Sequence, residues 1–298
     1  MELGRVLTAM ATPFNREGGV DYDQAKRLAL ALLEAGSDGL VVAGTTGEAP
    51  TLSHDEKLAL FREVKAAVGD RGAVIAGTGT NNTAVSIELS REAEAIGVDA
   101  LLLTAPYYNR PPQEGLYRHF AAIAAATALP CILYNIPGRT AVNVTAETQL
   151  RLAEIPNMAG VKEASGDLDQ IAAIIEGGRD FRVWSGDDQM ALPIIAIGGY
   201  GVVGVATHLV GLQMRTMIEA QLDGRNSEAA MIHRRLLPLM KTLLTNAAPN
   251  PIPLKYALNH IGFQVGGLRL PLIDADAAVA ESVVAELGRH QIDLAVAV

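Results

Sequence analysis

A lysine inside a run of strand-forming residues is the first group in this chain that could do chemistry. Lys162 lies in Ala159-Gly160-Val161-Lys162-Glu163-Ala164-Ser165, near the end of a predicted strand, and is one of only six lysines. Burying an ammonium is costly, and desolvation pulls its pKa toward the neutral, nucleophilic amine. Such an amine forms a Schiff base with a carbonyl compound. A structural lysine paired with Glu163 or Glu48 is the competing reading of the same residue. Tyr134 closes the preceding strand, in Leu133-Tyr134-Asn135-Ile136-Pro137-Gly138-Arg139-Thr140. Its phenol could shuttle protons for a neighbouring amine, or it could be a core tyrosine bonded to a carbonyl. Arg139 carries a guanidinium suited to paired hydrogen bonds on a carboxylate, or simply to solvent. Gly44-Thr45-Thr46-Gly47-Glu48 offers backbone N–H groups and two hydroxyls to a small carboxylate.

Other chemistries lack their residues. Neither Gly-rich stretch has the lysine of a phosphate-binding loop, and Gly77-Thr78-Gly79-Thr80-Asn81-Asn82 has Asn where a dinucleotide fingerprint needs its third glycine. The six histidines (54, 119, 208, 233, 260, 290) have no metal-ligand spacing, so no metal and no organic cofactor is expected. Asp187-Asp188 reads as the acidic start of a helix rather than a cation site. Cys131, the lone cysteine, reads as a buried, inert thiol.

These residues need a scaffold that brings strand ends together. Apolar, β-branched runs recur at Val6–Phe14, Gly39–Gly44, Ala73–Gly79, Ala100–Tyr108, Cys131–Pro137, Met158–Ser165, Arg182–Asp188 and Gly201–Thr207. Between them lie segments of helical spacing such as Asp21–Gly36, His54–Val68, Thr83–Gly97, Gly115–Ala128, Thr145–Ile155, Leu168–Gly177 and Met190–Ile197. Ser53 with Glu56 has capping-box spacing, and Gly36 and Gly97 sit where helices should stop. Eight such units in about 225 residues predict an α/β fold, a (β/α)8 TIM barrel, over residues 1–224. Residues 225–298 predict a C-terminal helical appendage, with helices over Ser227–Asn246, Pro253–Ile261 and Ala275–His290. A barrel does its chemistry at the C-terminal ends of its strands. Thr45, Tyr108, Tyr134, Lys162 and Gly186 all fall at such ends.

Composition narrows the partners. The chain has 298 residues, 49% of them hydrophobic, and a net charge of −9, with no basic cluster for a nucleic-acid backbone. No stretch has a membrane helix's length or a signal peptide's pattern, so a cytoplasmic protein acting on small molecules is expected.

Taken together, Gly44-Thr45-Thr46-Gly47-Glu48, Tyr107-Tyr108-Asn109, Tyr134-Asn135-Ile136-Pro137 and Gly160-Val161-Lys162-Glu163-Ala164-Ser165 resemble the dihydrodipicolinate synthase / N-acetylneuraminate lyase family of Schiff-base barrels. The resemblance spans nearly the whole chain. It implies that Lys162 is the Schiff-base lysine and that Tyr134, Thr45 and Tyr108 form a proton relay, with Tyr108 supplied across a dimer interface of a homotetramer. Thr46 would hold the carboxylate of pyruvate, and Gly186 counts as a further substrate-binding position. Pro137-Gly138-Arg139-Thr140 and Asn250-Pro251-Ile252-Pro253-Leu254-Lys255 resemble the synthase branch, in which Arg139 would orient the carboxylate of L-aspartate 4-semialdehyde. A sugar-acid lyase of the same family and a non-catalytic keto-acid-binding barrel are the alternatives. Where feedback-inhibited members hold lysine with a histidine and a glutamate, this chain has Lys57 and Val85. Tyr107 and Asn81 match that site, but weak or absent inhibition by lysine is expected.

Overall fold

The computed structural model describes residues 3–245 and 248–296. Eight parallel strands close into a barrel: β1 (Val6–Ala9), β2 (Gly39–Val42), β3 (Ala73–Gly77), β4 (Ala100–Thr104), β5 (Cys131–Asn135), β6 (Met158–Glu163), β7 (Arg182–Ser185) and β8 (Gly201–Gly204). Each strand pairs with the next, and β8 closes on β1 through Leu7 and Val203. Helices α1 (Tyr22–Glu34), α2 (His54–Val68), α3 (Thr83–Ile96), α4 (Gln113–Ala124), α5 (Pro137–Thr140), α6 (Ala146–Ala153), α7 (Leu168–Gly177), α8 (Ala191–Ala196) and α9 (Thr207–Leu222) follow the strands in turn. Then come α10 (Asn226–Leu243), α11 (Ile252–His260) and α12 (Ala277–Leu287), the expected appendage. The expected end of the first of these, Asn246, lies outside the described residues.

Local signals explain where the helices begin and stop. Ser53 and Glu56 form a reciprocal capping box on α2, and Asp21 accepts from the Gln24 amide at the start of α1. Gly97 ends α3 in the left-handed region at φ +91°, a conformation that costs glycine nothing. Helix α9 has no amphipathic period because Thr207 to Gly211 are all buried, and its backbone kinks at Val210.

The strands are shorter than their apolar runs suggest. The sequence carries them on to Phe14, Gly44, Gly79, Tyr108, Pro137, Ser165, Asp188 and Thr207. The ladders stop two to five residues earlier in every case. Beyond two of the stops the backbone turns left-handed, at Ala43 (φ 52°) and Tyr108 (φ 75°). Several of the surplus residues, such as Met10, Ala43, Ala105 and Val205, are apolar and buried, yet they lie in loops at the C-terminal ends of the strands. Pro137-Gly138-Arg139-Thr140, expected as a loop, is the single helical turn α5.

Side chains alternate across the sheet and build two cores. Leu7, Val41, Ile75, Leu102, Ile132, Trp184 and Val203 fill the barrel interior. Leu40, Val74, Leu101, Leu133, Val161 and Val202 face the helices. On β6 the interior positions are Gly160 and Lys162. A Cβ on Gly160 would stand 2.8 Å from the Trp184 ring, so the missing side chain makes room for the tryptophan that plugs the barrel beneath Lys162. The chain after α11 returns to the barrel, where Val265 O accepts from the Phe14 amide at 3.0 Å. Among the described residues no helix is long and apolar enough to cross a membrane.

Candidate active site

Residues Tyr134 on β5 and Lys162 on β6 are register partners, so the strand pairing alone sets phenol beside amine. The Lys162 Nζ stands 4.2 Å from the centre of the Tyr134 ring. Both side chains are buried, at 5% and 3% exposure, below the C-terminal rim. Burial pulls the Lys162 amine down to about 8; the Asp188 carboxylate opposes that shift and the Arg139 guanidinium adds to it. Burial also pushes the Tyr134 phenol up to about 12, against the pull of Arg139 and of a hydrogen bond with the Thr45 side chain. Near neutral pH the pair therefore consists of an amine with an accessible neutral form and a phenol that keeps its proton. That is the composition needed for carbonyl addition with a proton delivered nearby.

The structural pairings considered for Lys162 are both occupied elsewhere. Glu163 faces the outer core, as period-two alternation requires, and its carboxylate accepts from Asn135 Nδ2 (3.1 Å), Gln149 Nε2 (3.0 Å) and the Ser165 amide (2.8 Å). Glu48 forms a fully buried ion pair with Lys255 Nζ at 2.9 Å. A helical lysine ordinarily keeps its head in water, and Lys255 does not. It is 1% exposed on α11, where it donates to Glu48 and to the Gly267 carbonyl. Nothing in the local sequence of a helix foretells a partner 207 positions away.

Gly186 packs directly on the lysine stem: a Cβ there would lie 3.0 Å from Lys162 Cγ and 3.1 Å from Cε. Asp187 accepts from the Gln189 amide and so caps a short helical turn, as the sequence suggested. Asp188 does something else. Buried at the end of β7, it accepts from the amides of Val205 and Ala206 on the neighbouring strand end, at 3.0 and 2.8 Å. Desolvation raises its carboxyl to about 6, which leaves it an anion above that pH, close enough to bias the Lys162 amine. Sequence reading missed this role because the anion acts through strand order rather than chain order.

Thr45 and Arg139 meet at the mouth. They line a cavity of about 350 Å³ together with Lys57, Tyr107 and Ile136. Arg139, on α5, donates to the Asn250 carbonyl at 3.3 Å. Thr46 is buried at 2% exposure, and its hydroxyl accepts from Asn250 Nδ2 at 2.9 Å. Tyr108 is not brought to this group within the chain. It is 90% exposed at φ 75° on the loop after β4, where Asn81 Nδ2 donates to the Tyr107 carbonyl and Asn109 Nδ2 donates to the Asn81 carbonyl on either side. Cys131, with its thiol pushed up to about 12 by burial, sits on the outer side of β5 as an unreactive packing group.

Barrel and mouth together define a (β/α)8 enzyme built around an amine held inside the strand cylinder. The sequence pattern of the dihydrodipicolinate synthetase family matches residues 2–289. A protein of Moorella thermoacetica described as 4-hydroxy-tetrahydrodipicolinate synthase is 60% identical over 288 residues, covering 96% of this chain and 98% of its own. A solved dihydrodipicolinate synthase from Bacillus anthracis superposes with a TM-score of 0.94 at 44% identity, covering 97% and 98% of the two chains. Another, from Cyanidioschyzon merolae with lysine bound, gives 0.94 at 47% identity, covering 96% and 98%. The chain belongs to the dihydrodipicolinate synthetase family and is a lyase of that family.

Proposed function

We propose that this enzyme is a 4-hydroxy-tetrahydrodipicolinate synthase, which condenses pyruvate with L-aspartate 4-semialdehyde on the route to diaminopimelate and lysine. The observation that carries the reading is the buried Lys162 amine against Tyr134, with the Arg139 guanidinium close enough to act on the ionisation of both. In this mechanism Lys162 Nζ adds to the pyruvate ketone and water leaves, giving an imine. Loss of a methyl proton makes the enamine, whose carbon bonds to the aldehyde carbon while the aldehyde oxygen takes a proton. The amine of the aldehyde substrate then displaces Lys162 by transimination and closes the ring. Tyr134 and Thr45 relay the protons, and Tyr108 joins them from a partner subunit in a dimer of dimers. Thr46 and adjacent N–H groups hold the pyruvate carboxylate, with Gly186 clearing space over the lysine stem. Proximity and relayed protons suffice, without metal or organic cofactor. The reaction belongs in the cytoplasm.

Comparing turnover of aspartate semialdehyde with cleavage of 2-keto-3-deoxy sugar acids tests the choice of substrate. Faster sugar-acid cleavage overturns it in favour of the lyase reading. Arg139 gives the sharper check. Among the described residues its guanidinium has no acidic hydrogen-bond partner, only the Asn250 carbonyl, so it is ready for a substrate carboxylate. Arg139→Ala is expected to lower kcat/KM for the aldehyde roughly 10- to 100-fold, the worth of a charge-assisted pair, and to leave reductive trapping of pyruvate intact. Normal condensation in that variant removes Arg139 from the mechanism.

Lysine is expected to inhibit weakly or not at all. Lys57 is half-buried in the cavity wall, its ammonium pulled down by burial, and would repel a second ammonium. Val85 offers it no carboxylate. Initial rates measured across a lysine titration decide the matter, and potent inhibition is the contrary outcome.

A further inference from the structure

Asn250 touches both of the groups assigned above to substrate carboxylates, although it lies in the segment between α10 and α11. It is 5% exposed, its side-chain amide donates to the Thr46 hydroxyl at 2.9 Å, and its backbone carbonyl receives Arg139 Nη2 at 3.3 Å. Its Oδ1 is buried without a partner among the described residues. The two halves of this residue therefore act on different loops. A hydroxyl has one hydrogen to give, and a hydroxyl that accepts from an amide is left to donate elsewhere. An orphaned buried acceptor is rarely kept without a reason. The opposite orientation, with Thr46 donating to Oδ1, would satisfy that oxygen but spend the hydroxyl hydrogen inside the protein.

We propose that Asn250 is a positioning residue for pyruvate: its amide fixes the Thr46 hydroxyl as a donor toward the substrate carboxylate, while its carbonyl holds Arg139 for the second substrate. The inference rests on the reading of Thr46 as a pyruvate-carboxylate ligand. It makes the affinity for the keto acid depend on which way one hydroxyl hydrogen points. A carboxylate in place of the carboxamide cannot donate. It would draw the Thr46 hydrogen to itself and turn oxygen lone pairs toward the pyruvate carboxylate.

Steady-state kinetics of Asn250→Asp, Thr46→Val and the double variant test this. Asn250→Asp is expected to raise the pyruvate KM about 10-fold or more, the scale of a lost hydrogen bond replaced by repulsion, with the aldehyde KM nearly unchanged. Thr46→Val is expected to raise the pyruvate KM roughly 5-fold. In the Thr46→Val background, Asn250→Asp is expected to add little, because the hydroxyl it acts through is gone. A penalty that persists undiminished in that background means direct charge repulsion and overturns the proposal. A rise in both KM values means general displacement of the segment, since Arg139 hangs on the same residue, and overturns it too. An unchanged pyruvate KM in Thr46→Val removes the underlying assignment of Thr46, a failure distinct from the other two. If the aspartate variant does not fold, Asn250→Ala carries the same cycle. It is expected to raise the pyruvate KM about threefold alone and not at all beside Thr46→Val.

Discussion

Lys162→Ala is expected to lower turnover by roughly 10⁴-fold or more and to abolish the pyruvate adduct formed under borohydride. The wild-type protein should gain one reduced pyruvate on the peptide that contains Ala159 to Ser165, located by mass mapping. The size of the effect follows from the absence of a substitute. Lys255, the other fully buried lysine, is committed to Glu48 and to a carbonyl, and the half-buried Lys57 lies in the cavity wall. Lys162→Arg should be as inactive as the alanine variant, because a guanidinium keeps its charge and cannot add to a ketone. The same amine sets the pH dependence. With its pKa held at about 8 by burial, the neutral fraction rises with pH, so the rate of trapping should climb about tenfold between pH 7 and pH 9. An adduct on another residue, or a trapping rate flat across that interval, contradicts the assignment.

Lys255→Met is expected to destabilise the protein by about 3–5 kcal/mol, the cost of leaving one partner of a buried ion pair alone. Glu48 is fully buried and in the left-handed region at φ 55°. Without the ammonium it keeps, among the described residues, only the Arg269 amide, at 3.0 Å, as a donor. The Lys255 ammonium also lies over the Phe14 ring, 4.1 Å from its centre, where a methionine sulfur can make a weaker contact. Thermal unfolding should show a fall of roughly 6–15 °C. The double variant Glu48→Gln with Lys255→Met should recover most of it, because an uncharged pair leaves no buried anion. A single variant as stable as the wild type would mean that Glu48 finds water or another cation, and that the pair holds nothing in place.

What the sequence disclosed and what it withheld divide along physical lines. Repeating apolar runs with capped helices between them were enough to read the barrel, because each unit's period and end signals are local. Lys162 and Tyr134 were legible for the same reason: consecutive strands of a barrel are neighbours, so adjacent strand ends imply adjacent side chains. The strand ends were overdrawn because Ala105 and Ala43 are as apolar as the ladder residues before them. Hydropathy cannot tell a buried loop from a buried strand. Partners far apart in the chain left no trace. Asn250 with Thr46, Lys255 with Glu48 and Asp188 with the Val205 amide meet only through tertiary packing. Tyr108 is a different case: it stands 90% exposed on its loop, and the role proposed for it across an interface comes from the family resemblance rather than from this chain's own pattern.

The latch between the Gly44–Glu48 loop and the segment after α10 has a consequence in time. A ribosome that has reached residue 249 has already delivered all eight strands, Lys162 and Tyr134, but neither Asn250 nor Lys255. Barrel closure can begin on such a nascent chain, since N-terminal parts fold first during synthesis. Glu48 would then remain hydrated, and Thr46 and Arg139 would lack their common anchor. In the proposed mechanism the amine thus exists before the means of presenting a carbonyl acid to it. On that mechanism competence arrives only once the chain extends past Lys255, and cleavage between α10 and Asn250 is expected to silence the enzyme while leaving its nucleophile in place.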